Sequence, residues 1–132
     1  METYLKNRFI AFKIQELKQV VDYYQNGYFP ELKDYTGLSQ AEHLEIAEKA
    51  LRDFDRETWQ PTKQEKANYL RGIAIETREE ADAFRDSNVY VKWDALRRCV
   101  HCIQELKKLY PELNIYTNHW LSLAKPIKLN NI

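Results

Sequence analysis

The residue types best suited to chemistry gather in one segment, Arg97-Arg98-Cys99-Val100-His101-Cys102. It holds both cysteines and one of the three histidines of the chain. Cys99 and Cys102 stand three apart, so on a helix they share a face. That spacing is half of a zinc site. A structural zinc ion takes four ligands, and the other soft ligands, His119 and His43, stand singly with no second paired motif. His101 lies between the cysteines in the chain and therefore points elsewhere on a helix. A reactive dithiol sits at a helix start, where the dipole lowers a thiol pKa. This pair falls in mid-helix with no strand before it. The expectation is two core thiols, Cys99 as a small filler and Cys102 partly buried. Cys99, Cys102, His101 and His119 remain weak metal candidates, and no cofactor is expected.

No other set of residues amounts to a catalytic constellation. No Ser or Cys stands in a nucleophile-elbow pattern. The windows ending at His43, His101 and His119 begin with Gln40, Arg98 and Tyr116, so the Glu-x-x-His pair of di-iron bundles is missing. The 3 glycines are isolated and make no phosphate loop. None of the histidines has a chemical partner at a recognisable spacing. Glu76, Glu79, Glu80 and Asp82 read as a solvated helix face. No catalytic residue is assigned, and an enzyme is the less expected class.

Charge and aromatic placement carry more information. The formal net charge is zero, from 20 Lys+Arg against 20 Asp+Glu. Yet residues 31–60 carry 4 basic and 8 acidic residues, and residues 91–132 carry 7 and 3. The zero is a cancellation between an acidic and a basic pole. Such poles either neutralise each other inside the fold or orient a partner. The 9 Tyr, 5 Phe and 3 Trp crowd two regions, one around Tyr28, Phe29 and Tyr35 and one around Tyr110, Tyr116 and Trp120. A tyrosine with a covered ring and a wet hydroxyl is typical of an interface. The candidate partner-binding residues are therefore Tyr28, Phe29, Tyr35, Arg97, Arg98, Lys107, Lys108, Tyr116 and Trp120.

Helices must position these groups. Ile10, Ile14, Leu17, Val21, Tyr24 and Tyr28 recur at helical spacing, which predicts a first helix from about Thr3 to Asn26, ended by Gly27. Pro30 opens one short extra turn. Ser39-Gln40-Ala41-Glu42 and Thr62-Lys63-Gln64-Glu65 are capping boxes that start the second and third helices. Leu44, Ala47, Leu51 and Phe54 mark the buried face of the second. Leu70, Ile73, Ala74, Thr77, Ala81 and Phe84 mark that of the third. Thr77-Arg78-Glu79-Glu80 also fits a capping box, but a continuous third helix is the simpler reading. Asp86-Ser87-Asn88 caps a fourth helix with Val89, Trp93, Leu96, Val100, Ile103, Leu106 and Tyr110 on its stripe, stopped by Pro111. A short fifth helix is expected over 114–124, then a loose tail over 125–132.

The predicted fold is all-α, a compact bundle of four main helices plus a short C-terminal helix, in one domain over residues 1–124. Composition excludes disorder, collagen-like sequence and a membrane span. Met1–Arg8 has no apolar signal core, and two cysteines do not make a disulfide scaffold, so the expected setting is the cytoplasm. The expected function is a non-catalytic protein–protein interaction or accessory module, with a homodimer as one form. Nucleic-acid binding is the runner-up, through Arg97, Arg98, Lys107, Lys108, Lys125 and Lys128. The turn and helix over 32–54 imitate a helix-turn-helix, but Glu42, Glu45 and Glu48 at the head of that helix repel phosphates. A metal or redox protein built on Cys99 and Cys102 is the third reading.

Overall fold

A computed structural model describes residues 2–26 and 33–111. Those residues form four helices: α1 (Glu2–Gln25), α2 (Gln40–Asp53), α3 (Lys63–Ala83) and α4 (Val89–Leu109). No strand occurs among them, only an isolated antiparallel bridge between Lys33 and Ser39. The fold is all-α. Tyr28, Phe29, Gly27 and Pro30, the fifth helix expected over 114–124 with Tyr116, His119 and Trp120, and the tail with Lys125 and Lys128 lie outside the described residues. The chain divides into two compact units, Glu2–Gln60 and the part from Pro61 onward.

The helix starts follow from local chemistry. Ser39 Oγ accepts from the Glu42 amide at 3.2 Å, and Glu42 Oε1 accepts from the Ser39 amide at 3.3 Å. Thr62 and Glu65 make the same reciprocal pair, both bonds at 3.1 Å. Each box satisfies two of the orphan amide donors that every helix N-terminus leaves. Asn88 Oδ1 accepts from the Tyr90 and Val91 amides at 3.1 and 3.2 Å and starts α4. Helix α3 does not break at Thr77. That hydroxyl donates to the Ile73 carbonyl at 2.7 Å, so a buried side chain that resembles a cap is satisfied by its own helix.

In the second unit α3 packs on α4. Helix α3 buries Ala67, Tyr69, Leu70, Ile73, Ala74, Thr77 and Ala81. Helix α4 buries Lys92, Ala95, Leu96, Cys99, Cys102, Ile103 and Leu106. Small residues, Ala95, Cys99 and Cys102, share that buried face with the larger Lys92 and Ile103. The Cys99 thiol donates directly to the Ala74 carbonyl of α3 at 3.4 Å. Three expectations are corrected here. Cys102 is fully rather than partly buried, while Phe84 and Val89, placed on the buried stripes, are exposed. Phe84 is the C-cap of α3 and Val89 the first residue of α4, so both stand at helix ends flanking the turn. Lys92 was not expected inside. Its stem lies on the apolar stripe and its ammonium sits 5.1 Å from the Trp93 ring centroid.

The first unit is built differently. Helix α2 buries only Ala47, and Leu44, Leu51 and Phe54 are half-buried. Helix α1 buries Leu5, Phe9, Ile10 and Val21. The polar connection after α2 is a turn organised by Asp55, which accepts from the Glu57 amide at 2.9 Å and from the Thr58 hydroxyl at 3.1 Å. Phe54 and Trp59 close it, with ring centroids 5.7 Å apart.

Candidate functional site

The seven residues before α2, from Lys33 to Ser39, form a hydrogen-bonded turn that presents one aromatic side chain. Gly37 has φ +82°, the left-handed region that a side chain disfavours, and this lets the chain reverse. The Gly37 amide donates to the Asp34 carbonyl at 3.0 Å, and the Asp34 amide donates to the Leu38 carbonyl at 3.1 Å. The Asp34 carboxylate is the hub. Oδ1 accepts from the Thr36 amide at 2.9 Å and from the Thr36 hydroxyl. Oδ2 lies 2.8 Å from His43 Nε2, on the first turn of α2. Lys33 Nζ stands 3.9 Å from Glu42 Oε1. Between these fixed atoms Tyr35 is 99% exposed.

Electrostatics fit this frame. The Thr36 hydroxyl, with the Thr36 amide and His43 behind it, holds the Asp34 carboxyl below its usual range against an opposing desolvation. The Ser39 hydroxyl and amide do the same for Glu42, helped by Lys33. His43 is further fixed by α1. Its ring stacks on Tyr24 with centroids 4.7 Å apart and planes at 8°. Next to it, the Gln40 side-chain amide donates to the Tyr24 carbonyl, one of the acceptors that the end of α1 leaves without a helical partner.

Aspartate, histidine and a hydroxyl together invite comparison with a nucleophile-activating triad. Such a triad puts carboxylate and hydroxyl on opposite ring nitrogens, so that one nitrogen is free to take the hydroxyl proton. Here Asp34 and Thr36, the latter at 3.2 Å, both address Nε2. The carboxylate occupies the nitrogen that would have to accept the proton, and it also takes the Thr36 hydroxyl hydrogen. The arrangement orders a turn and does not activate Thr36.

His43 does have a partner, Asp34, at nine positions' distance, a spacing that belongs to no recognisable motif. The sequence signals the turn and the helix start, though not the pairing itself. Asp-x-x-Gly is a turn pattern, and the Ser39 cap fixes which side of α2 faces that turn, one helical turn along at His43.

The basic candidates on α4 among the described residues differ in their surroundings. Arg97 is exposed. Arg98 is only 18% exposed and turns inward, with Nη2 at 3.0 Å from Glu80 of α3 and Nε at 3.1 Å from Asp94. Glu80 is therefore part of a tie between helices rather than of a purely solvated face. Lys107 and Lys108 are exposed, and Lys108 binds Glu105 at 3.0 Å. Arg97 and His101 line a hollow of about 250 Å³ along α4, with Trp93, Leu96, Val100 and Gln104. His101 Nε2 is 4.0 Å from Glu105 Oε1. Cys99 and Cys102 lie in the α3–α4 core, where burial pushes the Cys99 thiol up. Among the described residues no group of three or more His, Cys, Asp or Glu side chains could hold a metal ion. No described helix is long and apolar enough to cross a membrane.

No protein-family model, curated protein or solved structure matches the chain.

Proposed function

We propose that the chain is a small non-catalytic interaction module whose partner is a protein, either another chain or a second copy of itself, in the cytoplasm. The observation that carries this reading is Tyr35, a whole aromatic side chain in water at the tip of a turn that hydrogen bonds fix on both flanks. Leaving a large ring uncovered forgoes its burial free energy. Holding its backbone rigid removes the ordering cost that binding would otherwise incur. Rigid, amphipathic tyrosines are the side chains that protein interfaces use as anchors. Tyr90, 84% exposed in the first turn of α4, is a second anchor of the same kind in the other unit. The runner-up, nucleic-acid binding through the basic C-terminal third, draws less support, because Arg98 already serves Glu80 and Asp94.

The test compares Tyr35→Ala with the parent chain in two measurements. Parallel affinity capture from native extract identifies what each retains, and light scattering gives the mass of each in solution. Tyr35 lies outside every core, so the variant keeps its fold. The expected result is a retained protein, or a dimer, whose affinity falls by about 30-fold or more in the variant, the scale of an interface hot spot. An identical set of retained proteins and an identical mass for both chains would overturn the reading.

A further inference from the structure

His43 stands where three segments meet, and it touches each by a different force. Its ring stacks on Tyr24 in the last turn of α1. Its Nε2 holds Asp34 in the 33–39 turn. Its backbone belongs to α2, three residues after Gln40, whose side chain holds the Tyr24 carbonyl. Neither the turn nor the end of α1 is bonded to the other directly by these groups. Each is fixed to the same imidazole and to the same first turn of α2.

We propose that His43 is a coupling element that makes the Tyr35 turn and the C-terminal end of α1 order and loosen together. The ring has one position that satisfies both neighbours. If Tyr24 shifts, the imidazole rotates away from the 2.8 Å contact with Asp34, and the carboxylate loses the donor that clips the turn to α2. If the turn opens, Nε2 loses Asp34 and the ring is released from the stack. A ligand that grips either segment therefore acts on the other through the same ring. This holds whatever Tyr35 meets, and it needs no partner to be observed.

Amide hydrogen exchange on the full chain, followed by NMR, tests the coupling in both directions. Tyr24→Leu removes the stacked ring and leaves every atom of the turn in place. It is expected to speed exchange at the Thr36 and Gly37 amides by about fivefold or more, the lower end of ordinary site-to-site coupling. Asp34→Ala changes an exposed residue and leaves every helix core intact. It is expected to speed exchange at the Asn26 amide, which donates to the Asp22 carbonyl at the end of α1. A coupling free energy is reciprocal. A change in one direction only, or in neither, therefore overturns the proposal. Should Tyr24→Leu lose its helical circular dichroism, His43→Phe takes its place. That variant keeps a ring against Tyr24 and removes the bond to Asp34, and unchanged exchange at Gly37 in it overturns the proposal equally.

Discussion

Helices α3 and α4 hold each other mainly through apolar burial, whereas the end of α1, the 33–39 turn and α2 hold one another mainly through hydrogen bonds. Helix α4 buries seven residues and α2 buries one. In the α3–α4 pair two of the polar groups that are inside are answered by main-chain carbonyls, Thr77 by its own helix and the Cys99 thiol by a carbonyl across the interface. In the first unit α1 also buries Leu5, Phe9, Ile10 and Val21, but at the joint of the turn with α2 and the end of α1 polar groups do the fastening. The two designs fail differently. Hydrophobic contact is non-directional and scales with area, so it survives small displacements. A hydrogen-bonded joint is directional, and a small displacement forfeits it. The part that holds its shape most tightly is therefore the α3–α4 core, and the part that can respond to a ligand is the Tyr35 turn.

The largest expected effect is on the apolar side. Ile73 is fully buried in α3, and Ile73→Ala should cost about 3 kcal/mol in urea-induced unfolding, the usual cost of a large-to-small core change. Leu51 of α2 is half-buried, and Leu51→Ala should cost about 1 kcal/mol, since less apolar area returns to water. Equal losses at the two positions would break the comparison. The same contrast should appear in thiol chemistry. Cys99 and Cys102 are buried and burial raises the Cys99 pKa, so neither should react with a thiol reagent in the native chain until α3–α4 opens. Rapid labelling without unfolding would show that this core is not the rigid half.

Next in size come the caps. Ser39→Ala and Thr62→Ala remove equivalent boxes, each worth about 1 kcal/mol. The consequence should differ in place. Loss at Thr62 should be spread over α3 and its packed partner. Loss at Ser39 should concentrate in the turn and the first turn of α2, where Gln40 and His43 also sit. Gly37→Ala belongs with these. A Cβ there meets nothing within 4 Å, so its cost is the left-handed backbone alone, about 1 kcal/mol. It should appear as faster exchange at Thr36 and Gly37 with no change in α4. A substitution at Gly37 that left the turn's exchange unchanged would mean that the turn is not held in this conformation.

These two designs were unequally legible in the sequence. Capping boxes at Ser39 and Thr62, the Asn88 start, the continuity of α3 and its buried face from Leu70 to Ala81 follow from rules that act over three or four residues, and such rules need no tertiary information. The α4 stripe is legible in part: Leu96, Ile103, Leu106 and the Cys99 thiol are buried as expected, whereas Trp93 and Val100 are half-buried and Lys92 and Ala95 lie inside. Large apolar residues dominate a periodicity pattern, and a small residue or a long charged one on the same face adds little to it. The polar joint was out of reach for a different reason. His43 meets Asp34 across nine positions and Gln40 meets Tyr24 across sixteen, and neither spacing repeats a local motif. The tie from Arg98, a partner-binding candidate, to Glu80 is non-local in the same way, eighteen positions apart on adjacent helices, whereas its second partner Asp94 stands at the local spacing of four.

The smallest expected effect is the one most specific to the hydrogen-bonded half. Asp34 and Glu42 are both held below the usual carboxylate range by hydrogen bonds to their ionised forms. A carboxyl whose folded pKa is depressed contributes stability that is present above its unfolded pKa. That contribution is lost as pH falls through the folded pKa. The turn should therefore keep full protection near about pH 6 and lose it between about pH 4 and more acidic values. The Ile73 and Ile103 amides of the α3–α4 core should keep theirs over the same interval, provided protection factors are compared so that the intrinsic pH dependence of exchange cancels. Asp34→Asn separates the two carboxyls. Its amide oxygen still accepts from the Thr36 amide, but it no longer titrates. Acid sensitivity at Thr36 should therefore vanish in this variant, while that at the Ser39–Glu42 box remains. If Thr36 loses protection equally in Asp34→Asn and in the parent chain, the hub of the turn is not the Asp34 carboxylate. The contrast between a fold held by area and a turn held by charge would then have to be drawn elsewhere.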